Sequence, residues 1–248
     1  MAFLRPNGSP IFANEIIGQG THGLALYHGP DVLKVAKVRS IRNLEGADLN
    51  HTTCLNLMNT ELLEREKQVY ERLKDTQGIA CCLKTSQDGI LLKRYNESLE
   101  QVIDENDEPD DEEKSSWISQ MIKAIRNCHQ AGILLFDIAL RNFLLCGDRS
   151  IKLIDFAQCA IFDEGTDMSI ANDNGLTAKI DIFHLGCAIY SVSSWQRFEK
   201  VVLEDNKEWP DLSKMPQTED MLFGDLIRGC WKGRYKSMDD IFRVVKAK

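Results

Sequence analysis

The hydrophobic pattern of this 248-residue chain changes near Asn96. Before that point short apolar runs alternate with turn-forming residues, and the segment 24–38, interrupted by Gly-Pro-Asp, predicts a β-hairpin. The exception is a long helical pattern from about Cys54 to Leu73. After Asn96 the apolar spacing is mainly helical. The pattern therefore predicts an α+β chain with a β-rich N-terminal lobe, about 1–95, and a mainly α-helical C-terminal lobe, about 96–248.

Two helices can be described further from the sequence. In the first, the apolar residues near helical spacing predict a partly exposed helix: Leu55, Leu57, Met58, Leu62, Val69, Tyr70 and Leu73. The acidic run from Asp104 to Glu113 predicts a solvated loop, after which Ser115 or Ser116 would cap the next helix. The apolar residues that share one face of that second helix are Trp117, Ile118, Met121, Ile122, Ile125 and Cys128.

The composition excludes several classes of protein. With 43% hydrophobic and 27% charged residues, the chain is neither collagen-like nor fully disordered. A net charge of −8 disfavours nucleic acid as a partner, because phosphate contacts need clustered Lys and Arg. No apolar run approaches the roughly 20 residues of a membrane helix, and the N-terminus has no secretory-signal pattern. We therefore expect a cytoplasmic or nuclear protein without a membrane partner.

The eight cysteines are scattered along the chain without a CxxC pair. The five histidines show no spacing typical of metal ligands either. This distribution favours free thiols over a disulfide framework or a zinc site.

A glycine-rich segment lies between two predicted strands. Glycines at 18, 20 and 23 allow backbone N–H groups to approach phosphates closely. A dinucleotide-binding fingerprint would need a helix after the last glycine, whereas Leu24-Ala-Leu-Tyr27 continues as a strand. The motif alone is equally compatible with an ordinary glycine-rich hairpin turn.

Three polar residues follow in the C-terminal half. Asn142 comes five residues after Asp137, and Asp155 comes after two short predicted strands. A carboxylate can accept a hydroxyl proton, and carboxylate and amide oxygens are suitable ligands for Mg²⁺. Each residue could instead be a cap or turn residue, but their order after a glycine loop favours a nucleotide–metal site.

Taken in order, these motifs resemble those of the eukaryotic protein kinase superfamily, and in particular its small divergent fungal members. The stretch GQGTHGLA resembles the nucleotide-covering loop, with Ala25 in place of the usual valine. The stretch from Asp137 to Asn142 resembles the catalytic loop, and Asp155-Phe-Ala resembles the metal-binding segment. Asp181 to Tyr190 resembles the buried helix that braces the catalytic loop. The resemblance covers nearly the whole chain and implies one bilobal protein-kinase-like domain, residues 1–248.

The resemblance also implies a role for each candidate site residue in binding ATP and Mg²⁺. The nucleotide would contact Gly18, Gly20, Gly23, Ala25, Lys34, Leu92, Lys93 and Tyr95. Lys34 would hold the phosphates and pair with Glu66, and Lys37 is the alternative lysine. Asp137 would be the base and Arg141 a cation near the transferred phosphate. Asn142 and Asp155 would be the metal ligands.

Some motifs of the family are missing. Leu135-Phe136 replaces His-Arg, and Ala139 stands where serine/threonine kinases usually have Lys. Asp181 comes only 26 positions after Asp155, and none of the residues between them is proline. These departures keep open a regulatory pseudokinase scaffold and a small-molecule kinase.

The retained site residues favour an ATP-dependent protein kinase that transfers the γ-phosphoryl group to Ser/Thr. Tyrosine remains open as an acceptor, because Arg141 matches the tyrosine-kinase pattern. The expected partners are ATP and an unidentified protein substrate or regulatory partner.

Overall fold

The computed structural model describes residues 2–170, 177–198 and 211–246. The chain divides into two compact units. The N-terminal unit comprises Met1–Asp75, Ala80–Arg94 and Asp155–Gln158, and the C-terminal unit comprises Thr76–Ile79, Tyr95–Ile154 and Cys159–Lys248. None of the helices in the described ranges has the length and hydropathy that a membrane span requires.

The N-terminal unit is built from short strands around one long helix. Its elements are β1 (Phe3–Leu4), β2 (Pro10–Ile11), β3 (Ile16–Gln19), β4 (Gly23–His28), β5 (Asp31–Ala36), β6 (Val38–Arg39), α1 (Gly46–Arg72), β7 (Cys82–Ser86) and β8 (Gly89–Leu92). Five strands form one antiparallel sheet in the order β3-β4-β5-β8-β7, and β2-β1-β6 form a second sheet. The predicted hairpin is therefore present as β4 and β5.

The larger sheet has an apolar core and a central lysine. Leu24 and Leu26 of β4 are almost completely buried, together with Val35 of β5. These side chains alternate along their strands with residues that face the other side of the sheet. On β5, Lys34 pairs with Ala25 of β4 on one side, and with β8 on the other. The register therefore places Lys34 in the middle of the sheet.

Helix α1 begins eight residues before the predicted start at Cys54. Two residues of the apolar pattern, Leu57 and Met58, are 61% and 38% exposed. The buried positions instead include Asn59 and Glu66. The inner face also holds apolar residues, among them Leu63 and Val69. It is partly polar because α1 packs on β5 and β6, where a lysine side chain and backbone carbonyls need hydrogen-bonding partners.

The C-terminal unit is mainly helical. Its elements are α2 (Leu99–Glu105), α3 (Asp111–Gln130), β9 (Ile133–Leu134), β10 (Phe143–Leu145), β11 (Ile151–Leu153), β12 (Ala160–Ile161), α4 (Lys179–Ser194), α5 (Gly224–Trp231) and α6 (Met238–Lys246). Helix α3 packs against α4 and α6, and α4 packs against α5. The predicted apolar face of α3 is buried, with Trp117, Ile118 and Met121 fully inaccessible.

The sequence predicted a loop along the whole acidic run, but only part of the run is a loop. The run includes the end of α2 and the first turn of α3, and neither Ser115 nor Ser116 is the cap. Instead, the carboxylate of Asp110 accepts a hydrogen bond of 2.9 Å from the N–H of Glu113. Acidic side chains stabilise a helix N-terminus because they satisfy free N–H groups and complement the helix dipole.

Candidate active site

A buried lysine and two carboxylates meet in the N-terminal unit. The Nζ atom of Lys34 lies 2.8 and 2.7 Å from the two carboxylate oxygens of Glu66, and 2.9 Å from Oδ1 of Asp155. Glu66 is 1% exposed, whereas the helix glutamates at 61, 64 and 71 are exposed. Strand β5 and helix α1 position the first two residues, because the helix packs directly on that strand.

Burial and the neighbouring opposite charge shift the pKa of each partner of this ion pair in opposite directions. Burial lowers the pKa of Lys34, but the carboxylates of Glu66 and Asp155 together outweigh it and raise the pKa above its usual value. Burial also raises the pKa of Glu66, against the effect of the neighbouring ammonium. Lys34 is therefore a permanent cation at physiological pH.

Lys37, the alternative phosphate-binding lysine, has a different environment. Its Nζ donates a hydrogen bond of 3.0 Å to the carbonyl oxygen of Gly20, and lies 5.9 Å from the centre of the Phe3 ring. The ion pair with Glu66 is thus made by Lys34. Lys37 contacts the glycine-rich loop instead.

The segment after Asp155 is held against α1. Asp155 has a φ of 64°, in the left-handed region that non-glycine residues rarely adopt. The N–H of Phe156 donates to Oε1 of Glu66 at 3.3 Å, and the Phe156 ring meets Tyr70 edge-on at 5.1 Å. Phe156 and Tyr70 are buried, and burial keeps the pKa of Tyr70 well above its usual value. Glu66 therefore fixes both Lys34 and the backbone that carries Asp155.

The glycine-rich loop connects β3 to β4. The N–H of Gly20 donates to the carbonyl oxygen of Gly23 at 2.9 Å and closes a tight turn. A Cβ atom at Gly23 would lie 3.1 Å from Cε of Lys34, so a side chain there would crowd the lysine. A Cβ at Gly18 would be 3.5 Å from that of Ala25, which is ordinary contact. The structural requirement for glycine is thus stronger at 23 than at 18.

The predicted adenine-binding residues lie at the end of β8 and beyond it. Leu92 is 8% exposed, and the N–H of Lys93 donates to the carbonyl oxygen of Cys81 at 3.0 Å. Of the two backbone polar groups of Lys93, only the carbonyl therefore remains for a ligand. Tyr95 belongs to the C-terminal unit.

Three further candidate residues meet in the C-terminal unit. Both carboxylate oxygens of Asp137 accept hydrogen bonds of 2.7 Å from Arg141. The side-chain amide of Asn142 donates to the backbone carbonyl of Asp137 at 2.8 Å. This bond fixes the amide orientation, so Oδ1 of Asn142 is the atom that a cation would take.

A buried aspartate braces the loop that carries Asp137. Asp181 of α4 is completely buried and accepts hydrogen bonds from the N–H groups of Leu135 and Phe136, at 2.8 and 2.7 Å. Its Oδ2 is also 2.8 Å from Nε2 of His129 on α3. Because two of the donors are backbone groups, the replacement of His-Arg by Leu135-Phe136 leaves this brace intact.

Comparison with known proteins identifies the family. The sequence matches the protein kinase domain over residues 14–223, which is 210 of its 248 residues. The chain belongs to the protein kinase family. This confirms the predicted family and the α+β, protein-kinase-like fold class.

Curated relatives of this kinase domain are distant and longer. It is 31% identical over 107 residues to the hormonally up-regulated neu tumor-associated kinase of Mus musculus, over 41% of this chain and 15% of the relative. It is 27% identical over 157 residues to cyclin-dependent kinase D-1 of Oryza sativa subsp. indica, and the match covers 60% of this chain and 34% of the relative. It is 23% identical over 158 residues to NUAK family SNF1-like kinase 2 of Homo sapiens, and that match covers 61% of this chain and 23% of the relative. The chain therefore spans between 15% and 34% of the length of these relatives.

Two of the candidate side chains carry oxygen atoms of the kind that Mg²⁺ takes as ligands. Within the described residues, no group of three or more His, Cys, Asp or Glu side chains could hold a metal ion. Mg²⁺ is commonly bound by one or two protein oxygens together with water and phosphate oxygens. The carboxylate of Asp155, in the N-terminal unit, and Oδ1 of Asn142, in the C-terminal unit, are each an oxygen ligand of this type.

One contact near the site, between two polar residues, was not predicted from the sequence. His22 in the glycine-rich loop and Asn59 on α1 form a hydrogen bond of 2.9 Å. Asn59 is polar, so the apolar pattern gave no indication that it is buried. The available signal was its position two helical turns before Glu66, which places both side chains on one face.

Proposed function

We propose that this chain is an ATP- and Mg²⁺-dependent protein kinase that phosphorylates serine or threonine hydroxyls. The observation that carries the proposal is the contact of Lys34 with both Glu66 and Asp155 at 2.7 to 2.9 Å. A buried lysine that is held by a helix glutamate supplies a fixed positive charge for a triphosphate. The kinase relatives support phosphotransfer in general, and the choice of serine or threonine is part of the proposal.

The residues of the site would act by positioning and charge. Lys34 would align the triphosphate, because Glu66 prevents it from turning away. Asp137 would orient the acceptor hydroxyl and take its proton as the new oxygen–phosphorus bond forms and the bond between the γ-phosphorus and the departing ADP oxygen breaks. Asn142 and Asp155 would hold Mg²⁺, which neutralises the charge of the phosphate oxygens when bound.

Arg141 favours a second candidate function, that of a nucleotide-binding regulatory scaffold. It donates to both oxygens of Asp137, so the proposed base is held in an ion pair in this conformation. An acceptor hydroxyl would have to share this carboxylate with Arg141 or displace the guanidinium from one oxygen. The guanidinium is 49% exposed and belongs to a long side chain, so it has room to move toward a phosphate.

The decisive experiment is phosphotransfer from γ-labelled ATP to a peptide library and to a set of small hydroxyl compounds, with Mg²⁺. We expect labelling of serine or threonine peptides, and a loss of about 100-fold or more in turnover for Asp137→Asn. Asp155→Asn should abolish the Mg²⁺-dependent part of the thermal shift that ATP causes. For an intact site, ATP at about 100 times its Kd adds about 2.7 kcal/mol to the free energy of unfolding.

Asp163→Asn is the matched control, since Asp163 is an exposed carboxylate eight residues after Asp155. It should behave as the wild type does. Nucleotide binding without transfer to any acceptor would support the scaffold, whereas labelling of small molecules alone would support a small-molecule kinase. Asp137 is not the base if Asp137→Asn turns over normally.

The cytoplasmic or nuclear location remains a prediction.

A further inference from the structure

Three carbonyl groups of the glycine-rich loop accept hydrogen bonds within the N-terminal unit. The carbonyl oxygen of Gly20 accepts from Nζ of Lys37, that of His22 from the N–H of Lys37, and that of Gly23 from the N–H of Gly20. The backbone hydrogen bonds of the described residues do not use the N–H groups of Thr21 and His22. A loop in this conformation offers donors to an anion and keeps its acceptors turned away.

A closed set of hydrogen bonds joins this loop to helix α1. Nδ1 of His22 is 2.9 Å from Oδ1 of Asn59, and Nδ2 of Asn59 donates to the carbonyl oxygen of Lys37 at 2.8 Å. The N–H of Lys37 then returns to the carbonyl oxygen of His22 at 2.9 Å. Because the amide nitrogen of Asn59 is used on Lys37, its oxygen faces His22. Nδ1 of His22 must therefore carry the proton and donate.

The position of Asn59 couples this contact to the ion pair. Asn59 is 7% exposed and lies seven residues before Glu66, which is nearly two full helical turns. The two side chains therefore project from the same face of α1. One face of a single helix thus contacts both the loop, through His22, and Lys34, through Glu66.

We infer that His22 and Asn59 are positioning residues that hold the glycine-rich loop to α1, so that the loop is ordered when Glu66 engages Lys34. This inference rests on the proposed function, because the ordered loop would cover the triphosphate of ATP. Glycine-rich segments lose much conformational freedom when they are fixed. If the hydrogen bond between His22 and Asn59 orders the loop before the nucleotide binds, less conformational entropy is lost on binding.

The test compares two substitutions of the same histidine. His22→Phe keeps an aromatic ring but removes the donor, whereas His22→Asn keeps an amide N–H near the place of Nδ1. In the nucleotide-free protein, we expect hydrogen exchange of the Lys37 amide to be about tenfold faster in His22→Phe, since local opening becomes easier. His22→Asn should restore protection close to that of the wild type.

The kinetic part of the test separates positioning from general stability. We expect His22→Phe and Asn59→Leu to raise KM for ATP about tenfold, with kcat changed by less than about threefold. Asn56→Leu is the matched control. Asn56 also joins α1 to a strand, through two hydrogen bonds of 2.8 Å to the backbone of Arg39, but it does not contact the loop. Its KM for ATP should remain that of the wild type.

Each result has a distinct meaning. Unchanged hydrogen exchange of the Lys37 amide in His22→Phe would show that His22 does not hold the loop to α1. Faster exchange with an unchanged KM for ATP would overturn the positioning role, as would an equal rise of KM in Asn56→Leu. If the wild type neither binds ATP nor transfers phosphate, the proposed function fails, and the assignment to nucleotide positioning fails with it. The exchange measurement would still decide whether His22 holds the loop to α1.

Discussion

Replacing Asp181 by alanine should destabilise this protein strongly, and the structure gives the size of the effect. The carboxylate is completely buried and accepts from three donors: the N–H groups of Leu135 and Phe136, and Nε2 of His129. Each buried donor left without a partner costs about 1–3 kcal/mol. Phe136 also has a φ of 58°, a conformation that those bonds help to hold. We expect Asp181→Ala to lower the free energy of unfolding by about 4 kcal/mol.

The assay is urea unfolding followed by tryptophan fluorescence, with thermal unfolding beside it. A loss of about 4 kcal/mol corresponds to about 8–16 °C in Tm for a chain of this size. Asp181→Asn should lose less, about 1–3 kcal/mol, because one acceptor oxygen remains. Asp225→Asn, whose side chain is 75% exposed on α5, is the control and should shift stability by less than about 1 kcal/mol. A loss below about 1 kcal/mol in Asp181→Ala would refute the bracing role.

Two further predictions concern backbone and thiol chemistry. Gly89 has a φ of 145°, and a Cβ there would lie 2.2 Å from the carbonyl oxygen of Lys34. Gly89→Ala should therefore cost about 3 kcal/mol or more in urea unfolding, and an unchanged midpoint would contradict this. Burial raises the pKa of the Cys128 and Cys230 thiols, so each ionises in the unfolded chain first, and stability falls as pH rises above about 8.5. Between about pH 7.5 and 9.5, the wild type should lose about 1.4 kcal/mol more than Cys230→Ala, and parallel losses would argue against a buried neutral thiol.

The order of strands and helices could be predicted from the sequence, because local patterns determine it. The β4–β5 hairpin, the apolar face of α3 and the helix from Lys179 depend on periodicity and turn residues alone. The ends of the helices were less predictable. An acidic residue suits both a solvated loop and a first helical turn, and Asp111, Glu112 and Glu113 lie in the first turn of α3 and not in the predicted loop.

Helix α1 shows why the remainder of the site could not be predicted from periodicity. Hydrophobic spacing identifies the buried face of a helix only when that face packs on apolar side chains. The inner face of α1 instead presents Asn59 and Glu66 to polar groups, so Leu57 and Met58 remain exposed. The contacts of Asn59 depend on where β5 and the glycine loop lie in space, which spacing along the chain does not encode.

The replacement of the family's His-Arg by Leu135-Phe136 shows which motif positions a kinase fold can lose. Asp181 holds this segment through backbone N–H groups, and any residue except proline supplies such a donor. The hydrogen bonds to Asp181 therefore do not depend on the His and Arg side chains that the family usually has at these two positions. At Lys34, Glu66 and Asn142, the contacts are made by side-chain atoms that few other residues could place there. A missing motif residue is thus evidence of lost activity only where its side chain, and not its backbone, makes the contact.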